Sequence, residues 1–589
     1  MIDKLIYFAL RQKSLIIIAV FILIAFGIYA FKKLPIDAFP DVTSIQVQVI
    51  SKSPGMSPVE VEQLITFPLE VEFMGLPKKT ELRSVTKLGL SVITVVFEDG
   101  TDIYWARQIV LERLIQAREK LPRGVETILG PIATGLGEVY QYTLEKNHQS
   151  SVTSHQSDLM EFRTLQDWVV RPMLRTVPGV ADVNSLGGYP KQYQVMVDPS
   201  RLKKYNLTLR QVFEAVEKNN ANVGGGYIRH QKESYAIRGL GLIKTIKDIE
   251  EIVVSSVDGT PVYLRDVADI RLGSRYRLGG VTANGKGEAV EGLVLMLMGG
   301  NSREIVSAVK ERVKDVNMVL PEGVSIKPFY DRTELVDLAL STIEKALMEG
   351  VLLVVIVLYL FLRNLRGAIV VALTLPLAVF STFIIMGFVG LTANLMTLGG
   401  LAISLGMIAD ASIIQVENVQ RHLSEKGIEK HKPIAILESV LEVRKPSLFG
   451  ELIIAITFIP LMTLEGMEGK MFNPLAFTVV IALLSSLMLS IFVIPVLCLI
   501  FLKAGEERES FIVRGAIYIY RPILSFAMKQ RWLVLTIAIS LFIGSLLLVP
   551  FIGREFVPAM DEGSIVINIL RLPSIALEDS LDITTIVER

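Results

Sequence analysis

The sequence predicts an α+β integral membrane protein. About seven transmembrane helices carry a large extracytoplasmic domain of ferredoxin-like βαβ units with an inserted segment. Three observations predict it. The 589 residues are 51% hydrophobic with mean hydropathy +0.48, yet 20% of them are charged. That combination fits membrane spans joined to a water-exposed part. Apolar runs of spanning length recur along the chain, and the long stretch between the first two alternates strand and helix patterns.

The first run, "SLIIIAVFILIAFGIYAF" (14–31), is about 27 Å long as a helix, enough to cross the hydrocarbon core. Others lie near 346–362, 367–389, 393–417, 447–464, 475–502 and 533–552. The first follows Lys4, Arg11 and Lys13 and lacks a small-residue cleavage site, so it reads as an uncleaved anchor. Basic residues set the orientation. With the N-terminus cytoplasmic, the inside segments hold Arg363 and Arg366, then Arg421, Lys426, Lys430, Lys432, Arg444 and Lys445, then Lys503, Arg508, Arg514, Arg521, Lys529 and Arg531. The short outside loops "LTANL" and "EGMEGKMFN" carry a single lysine, Lys470. The C-terminus then lies outside the cytoplasm.

Within the long outer segment, "IQVQVI", "ELRSVTK" and "SVITVVFEDG" read as strands, and "SPVEVEQLITFPLEVEF" and "DIYWARQIVLERLIQAREKL" as helices. With a closing strand near "VETILG", the order is β-α-β-β-α-β, the ferredoxin-like pattern. A second unit starts at "EVYQYTLE" and runs through "RTLQDWVVRPMLRTV", "GVADVNSLGG" and "YPKQYQVMVD". It closes after "EGLVLMLMG" and "SREIVSAVKERVKDVNMVL", with a glycine-rich insertion at about 222–275.

Composition excludes several functions. Lys plus Arg equals Asp plus Glu, at 60 each, which gives no reason to expect nucleic acid. The one cysteine, Cys498, excludes an intrachain disulfide, and with five histidines it also excludes a finger-type zinc site.

An internal repeat is visible at an offset of 520: Asp41, Ser44, Ile45, Val47 and Val49 meet Asp561, Ser564, Ile565, Ile567 and Ile569. Both stretches follow an apolar span and keep strand alternation. Transporters built from parallel repeats show such symmetry. The expectation is one complete repeat plus the start of a second, whose remainder is a separate chain or was cut away.

The stretches "PIDAFPDVTSIQVQV", "FEDGTDIYWAR", "LQDWVVRPMLRTVPGVADVNSLGG", "NLMTLGGLAISLGMIADASIIQVEN" and "IPLMTLEGMEGKMFNPLAFT" together resemble the resistance–nodulation–division (RND) transporters, and within them the heavy-metal efflux branch. The resemblance implies a proton-driven exporter of metal cations. It would be a homotrimer in a bacterial inner membrane, working with a periplasmic adaptor, an outer-membrane channel and a second-half polypeptide. The metal is cargo, and no resident cofactor is implied. The resemblance divides the chain into 1–32 (first span), 33–337 (periplasmic porter domain, docking insertion about 222–275), 338–504 (helices two to six), 505–532 (cytoplasmic linker helix), 533–552 (seventh span) and 553–589 (start of a second porter unit). Export of organic compounds, or a non-transporting half-protein scaffold, are the alternatives.

Candidate site residues lie within the spans. Asp410, in "LGMIADASIIQVEN", is an acid at hydrocarbon depth, where a charge costs at least ~2.5–3.5 kcal/mol. It is either a proton-relay carboxylate or half of a structural pair. The resemblance favours the relay, since the family's essential aspartate matches here. Glu417, two turns on, is a relay entrance or an interfacial residue. Glu451 is a second relay acid or a side chain reaching to the cytoplasmic surface. Methionine thioethers suit monovalent copper or silver. By resemblance Met396 matches a relay methionine of the copper/silver exporters, and Met407 lies one turn from Asp410; packing is the alternative for both. The other relay positions read Ile408, Gln415 and Leu483, and the acid of divalent-metal members is replaced by Ser404. Pro376, Pro460 and Pro495 are hinges or static kinks.

Overall fold

In the computed structural model, residues 2–37, 40–146, 155–257, 259–362, 365–426, 432–503, 511–553, 564–572 and 574–589 are described. Asp561, Arg363, Lys430 and Arg508, named above, lie outside them. The chain divides into two compact units: Met1–Val139, Leu295–Ala308 and Asp331–Asn568 form the first, and Tyr140–Val294, Val309–Tyr330 and Ile569–Arg589 the second.

The first unit contains a four-stranded antiparallel sheet. Its strands, in spatial order, are Lys79–Lys87, Leu90–Phe97, Gln46–Lys52 and Glu126–Leu129. Alternation sets its register. Val47 and Val49 point into the core with Ile93 and Val95, while Gln48 opposite Thr94 faces the other way. Two helices cover the buried face through Val61, Ile65, Leu69 and Phe73, and through Ala106, Val110, Leu114 and Ala117. The first starts in a capping box, in which Ser57 accepts from Glu60 N and Glu60 accepts from Ser57 N. Asp102 caps the second by accepting from Trp105 N at 2.7 Å.

The same unit holds the apolar helices. Among the described residues six are long and apolar enough to cross a membrane: Lys13–Lys33, Leu365–Val389, Leu395–Ser424, Lys432–Met462, Gly466–Phe501 and Arg531–Phe551. The expected span near 346–362 falls in the Arg332–Leu362 helix, whose apolar part is described as Met348–Val357. Small residues let these helices approach closely. A Cβ on Gly400 would lie 2.8 Å from the Leu475 carbonyl oxygen. Pro376 and Pro495 lie inside helices. Pro460 instead opens a separate short helix, Ile459–Met462, after the Lys432–Thr457 helix has ended. There its missing N–H costs nothing. The buried Arg332 grips Asp37 at 2.9 Å and so ties the end of the Lys13–Lys33 helix to the start of the Arg332–Leu362 helix. Lys470 ties its loop to the four-stranded sheet through Asp99 at 2.6 Å and the Thr43 carbonyl at 3.1 Å.

In the second unit, strand Glu138–Lys146 lies between Val324–Asp331 and Glu288–Met296, and Val180–Gly187 pairs with Glu288–Met296. The strand partner of Val180–Gly187 therefore lies about a hundred residues on in sequence, and is not "YPKQYQVMVD". That segment, Lys191–Val197, pairs with Ala268–Ser274 in a separate two-stranded sheet. The chain leaves the larger sheet at Gly187 and Gly188, both at positive φ. A Cβ on Gly187 would meet the Ala289 carbonyl oxygen at 2.2 Å, so only glycine fits this exit. Within the 222–275 segment an exposed hairpin spans Val223–His230 and Glu233–Gly239.

Each unit repeats one local device. Pro68 and Pro172 each follow a single widened helical turn, Glu62–Thr66 and Gln166–Val170. The wider turn absorbs the hydrogen bond that proline cannot donate. Residues 564–569, expected to repeat the strand at 45–49, form no strand, and Ile565 is 91% exposed. No partner strand among the described residues completes their hydrogen bonds.

Candidate functional site

The Leu395–Lys426 helix carries most of the candidate residues. Its start is fixed by Asn394, whose Oδ1 accepts from the backbone N–H of Met396 and of Thr397, both at 3.0 Å. Thr397 Oγ1 returns the contact by accepting from Asn394 N at 2.8 Å. The preceding loop is held in turn, because Ala393 N donates to the Pro35 carbonyl and Asp37 N to the Ala393 carbonyl. Met396 thus sits, half-buried, in a rigid first turn.

Further along, this helix has two unlike faces. Leu401, Ser404, Ile408, Ser412 and Gln415 are buried against the bundle. Thr374 Oγ1 donates to Ser412 Oγ at 3.2 Å and joins the Leu365–Val389 helix to it. Ile403, Asp410, Ile414 and Glu417 form an exposed stripe at helical spacing, with half-buried Met407 beside it. Asp410 and Glu417 therefore share a face that this chain's own helices leave uncovered. Among the described residues no ion pair or hydrogen bond reaches either acid. Ser404, in place of the second acid, is buried and donates to the Leu401 carbonyl at 2.7 Å.

Glu451 is in a different setting. It is turned inward, and its side chain is 8% exposed beside Arg444 at 3%, with Arg444 Nη1 to Glu451 Oε1 3.6 Å. Ser447 Oγ also donates to that oxygen, at 3.3 Å. Arg444 Nη1 donates to Ser490 Oγ at 2.8 Å, and Ser490 Oγ donates to Gln415 Oε1 at 2.6 Å. Gln415 Nε2 donates to the Ser490 carbonyl at 3.1 Å. One buried polar network thereby joins three helices. The Glu451 side chain thus lies within the bundle. Arg444, counted from sequence among the cytoplasmic positive charges, is an interior residue. The missed signal is its spacing: Arg444 and Glu451 lie two turns apart on one helix face.

Nearer the helix ends, Glu442 accepts from Asn418 Nδ2 at 3.2 Å, lies 2.7 Å from His422 Nε2, and pairs with Arg421 at 3.3 Å. This second cluster clamps the Leu395–Lys426 helix to the Lys432–Thr457 helix. Among the described residues no group of three or more His, Cys, Asp or Glu side chains forms a metal-ligating cluster. Met462, Met467 and Met471 lie around the turn between the Ile459–Met462 and Gly466–Phe501 helices, where Met471 is buried and Met467 exposed.

One family profile matches the chain over residues 5–589. The chain belongs to the AcrB/AcrD/AcrF family. Protein HelA of Legionella pneumophila is 42% identical over 597 residues, covering 100% of this chain and 56% of the relative. Cobalt-zinc-cadmium resistance protein CzcA of Cupriavidus metallidurans is 42% identical over 599 residues, with the same two coverages. A crystal structure of a heavy metal efflux pump superposes with TM-score 0.85 at 33% identity, covering 99% of this chain and 56% of that one. The chain thus spans about half the length of the relatives it matches. The resemblance to heavy-metal efflux RND transporters holds at the level of both sequence and fold.

Proposed function

We propose that this chain is part of the inner-membrane pump of a tripartite system that exports heavy-metal cations in exchange for protons. The observation that carries the proposal is similarity, along the whole of this chain, to relatives named for metal resistance and efflux, in a chain whose apolar helix carries Asp410. The four-stranded sheet, with its β-α-β-β-α-β order, and the second sheet act as ferredoxin-like porter units in the periplasm. The exposed 223–239 hairpin belongs to the docking insertion. Residues 338–504 and 533–552 span the membrane, 505–532 link them on the cytoplasmic side, and 553–589 open a second porter unit. The pump works as a homotrimer with a periplasmic adaptor and an outer-membrane channel.

In this reading Asp410 takes up and releases the transported proton, and Glu417 on the same stripe admits it from the cytoplasmic edge. An intramembrane acid is costly, and such acids are retained where they do work. Glu451 serves as a buried acid held by Arg444, a placement that suits stabilising the helices between proton movements. Met396 and Met407 are the thioethers placed to meet a soft cation. The test is a resistance panel in cells that depend on this transporter. Deletion is expected to sensitise them to a metal among zinc, cobalt, cadmium, nickel, copper and silver, and not to organic dyes or detergents. Sensitisation to organic compounds alone would favour the organic-export reading.

A further inference from the structure

We propose that a crevice between the Lys13–Lys33 and Leu365–Val389 helices binds one phospholipid, its acyl chain inside and its phosphate diester on Lys33. The inference is independent of what the protein transports. The crevice has a volume of about 440 Å³ and is lined by Phe26, Tyr29, Lys33, Ile384, Gly387 and Phe388, among others.

Its ends are built in. At the floor the helices touch, since a Cβ on Gly27 would lie 2.4 Å from Phe380 Cβ. At the roof they are bridged by the backbone bonds from Asp37 N to the Ala393 carbonyl (3.1 Å) and from Ala393 N to the Pro35 carbonyl (2.9 Å). Between floor and roof run about two helical turns, roughly 11 Å at 1.5 Å per residue. The wall is open at Gly387, where an added Cβ would meet nothing within 4 Å. An apolar hollow of this size left empty forfeits dispersion contacts on every side. In a bilayer the filler at hand is an acyl chain.

The rim sets the headgroup. Lys32 and Lys33 adjoin there, and Lys33 Nζ lies 5.9 Å from the centre of the Tyr29 ring. Among the described residues no carboxylate pairs with either lysine. A cation above an aromatic ring at a span's end fits the interfacial depth, where phosphates lie.

Native mass spectrometry of the full chain tests this with phosphatidylglycerol and, in parallel, diacylglycerol of the same chains. One phosphatidylglycerol per chain is expected to survive collisions that strip diacylglycerol. Lys33→Gln should lower its retention ~5-fold, the worth of one lysine at an anionic surface. Gly387→Leu, which fills the hollow, should lower it ~10-fold, as for about two buried methylenes. Equal retention of both lipids by the native chain, or native-like retention by folded Gly387→Leu, overturns the proposal. Should Gly387→Leu not fold, Phe388→Trp replaces it in nanodiscs holding a few brominated phosphatidylglycerols per chain. Strong quenching of the introduced indole relative to Trp532 supports the site, and equal quenching overturns it.

Discussion

Asp410→Asn is expected to abolish metal resistance while leaving the amount of protein in the membrane unchanged. The amide keeps the shape of the carboxyl group and removes its ability to cycle a proton. The structure gives the substitution little else to disturb. Asp410 lies on the exposed stripe of its helix, and no ion pair or hydrogen bond among the described residues depends on it. Packing of the Leu395–Lys426 helix rests on the opposite face, through Leu401, Ile408 and Gln415. Growth in the presence of the transported metal is the assay, with immunoblotted membranes as the control. Loss on the order of the full deletion phenotype is expected. Full resistance from the variant would remove Asp410 from the mechanism.

Arg444→Met should have the largest effect on stability, and through a different cause. It leaves the buried Glu451 carboxyl without its partner, and it cuts the link through Ser490 to Gln415. Removing one member of a buried pair costs about 3–5 kcal/mol. The paired replacement Arg444→Met with Glu451→Met removes both charges and should recover most of the loss, because apolar side chains of similar volume substitute well for a buried pair. Thermal unfolding in detergent, read as a double-mutant cycle, separates the two effects. A single variant that melts like the parent would show that the network carries no structural load.

The contrast between these two acids shows what the sequence made legible. Asp410 stood out because an acid in an apolar run has few explanations. The first sheet was equally legible, since its strands Lys79–Lys87 and Leu90–Phe97 are neighbours in sequence and pair with each other. Two things were hidden because they depend on long-range pairing. The partner of Val180–Gly187 is Glu288–Met296, about a hundred residues on, whereas the strand next in sequence is Lys191–Val197. A local pattern marks a strand without saying which distant strand it will pair with. Arg444 was hidden because basic residues near span ends are counted as topogenic charge, a rule blind to which helix face they occupy. The uncovered stripe of Asp410 was also beyond sequence, since periodicity shows that a helix is apolar around its circumference and not which side its neighbours take.

In the proposed mechanism, metal movement is coupled to proton movement at Asp410. It is tested most directly in everted membrane vesicles that contain the transporter and an internal pH-sensitive dye. With an acidic interior established, adding the transported metal outside should dissipate the gradient and load the vesicles with metal. Vesicles carrying Asp410→Asn should do neither. Metal loading by the variant at the parental rate, with or without a gradient, would contradict the account.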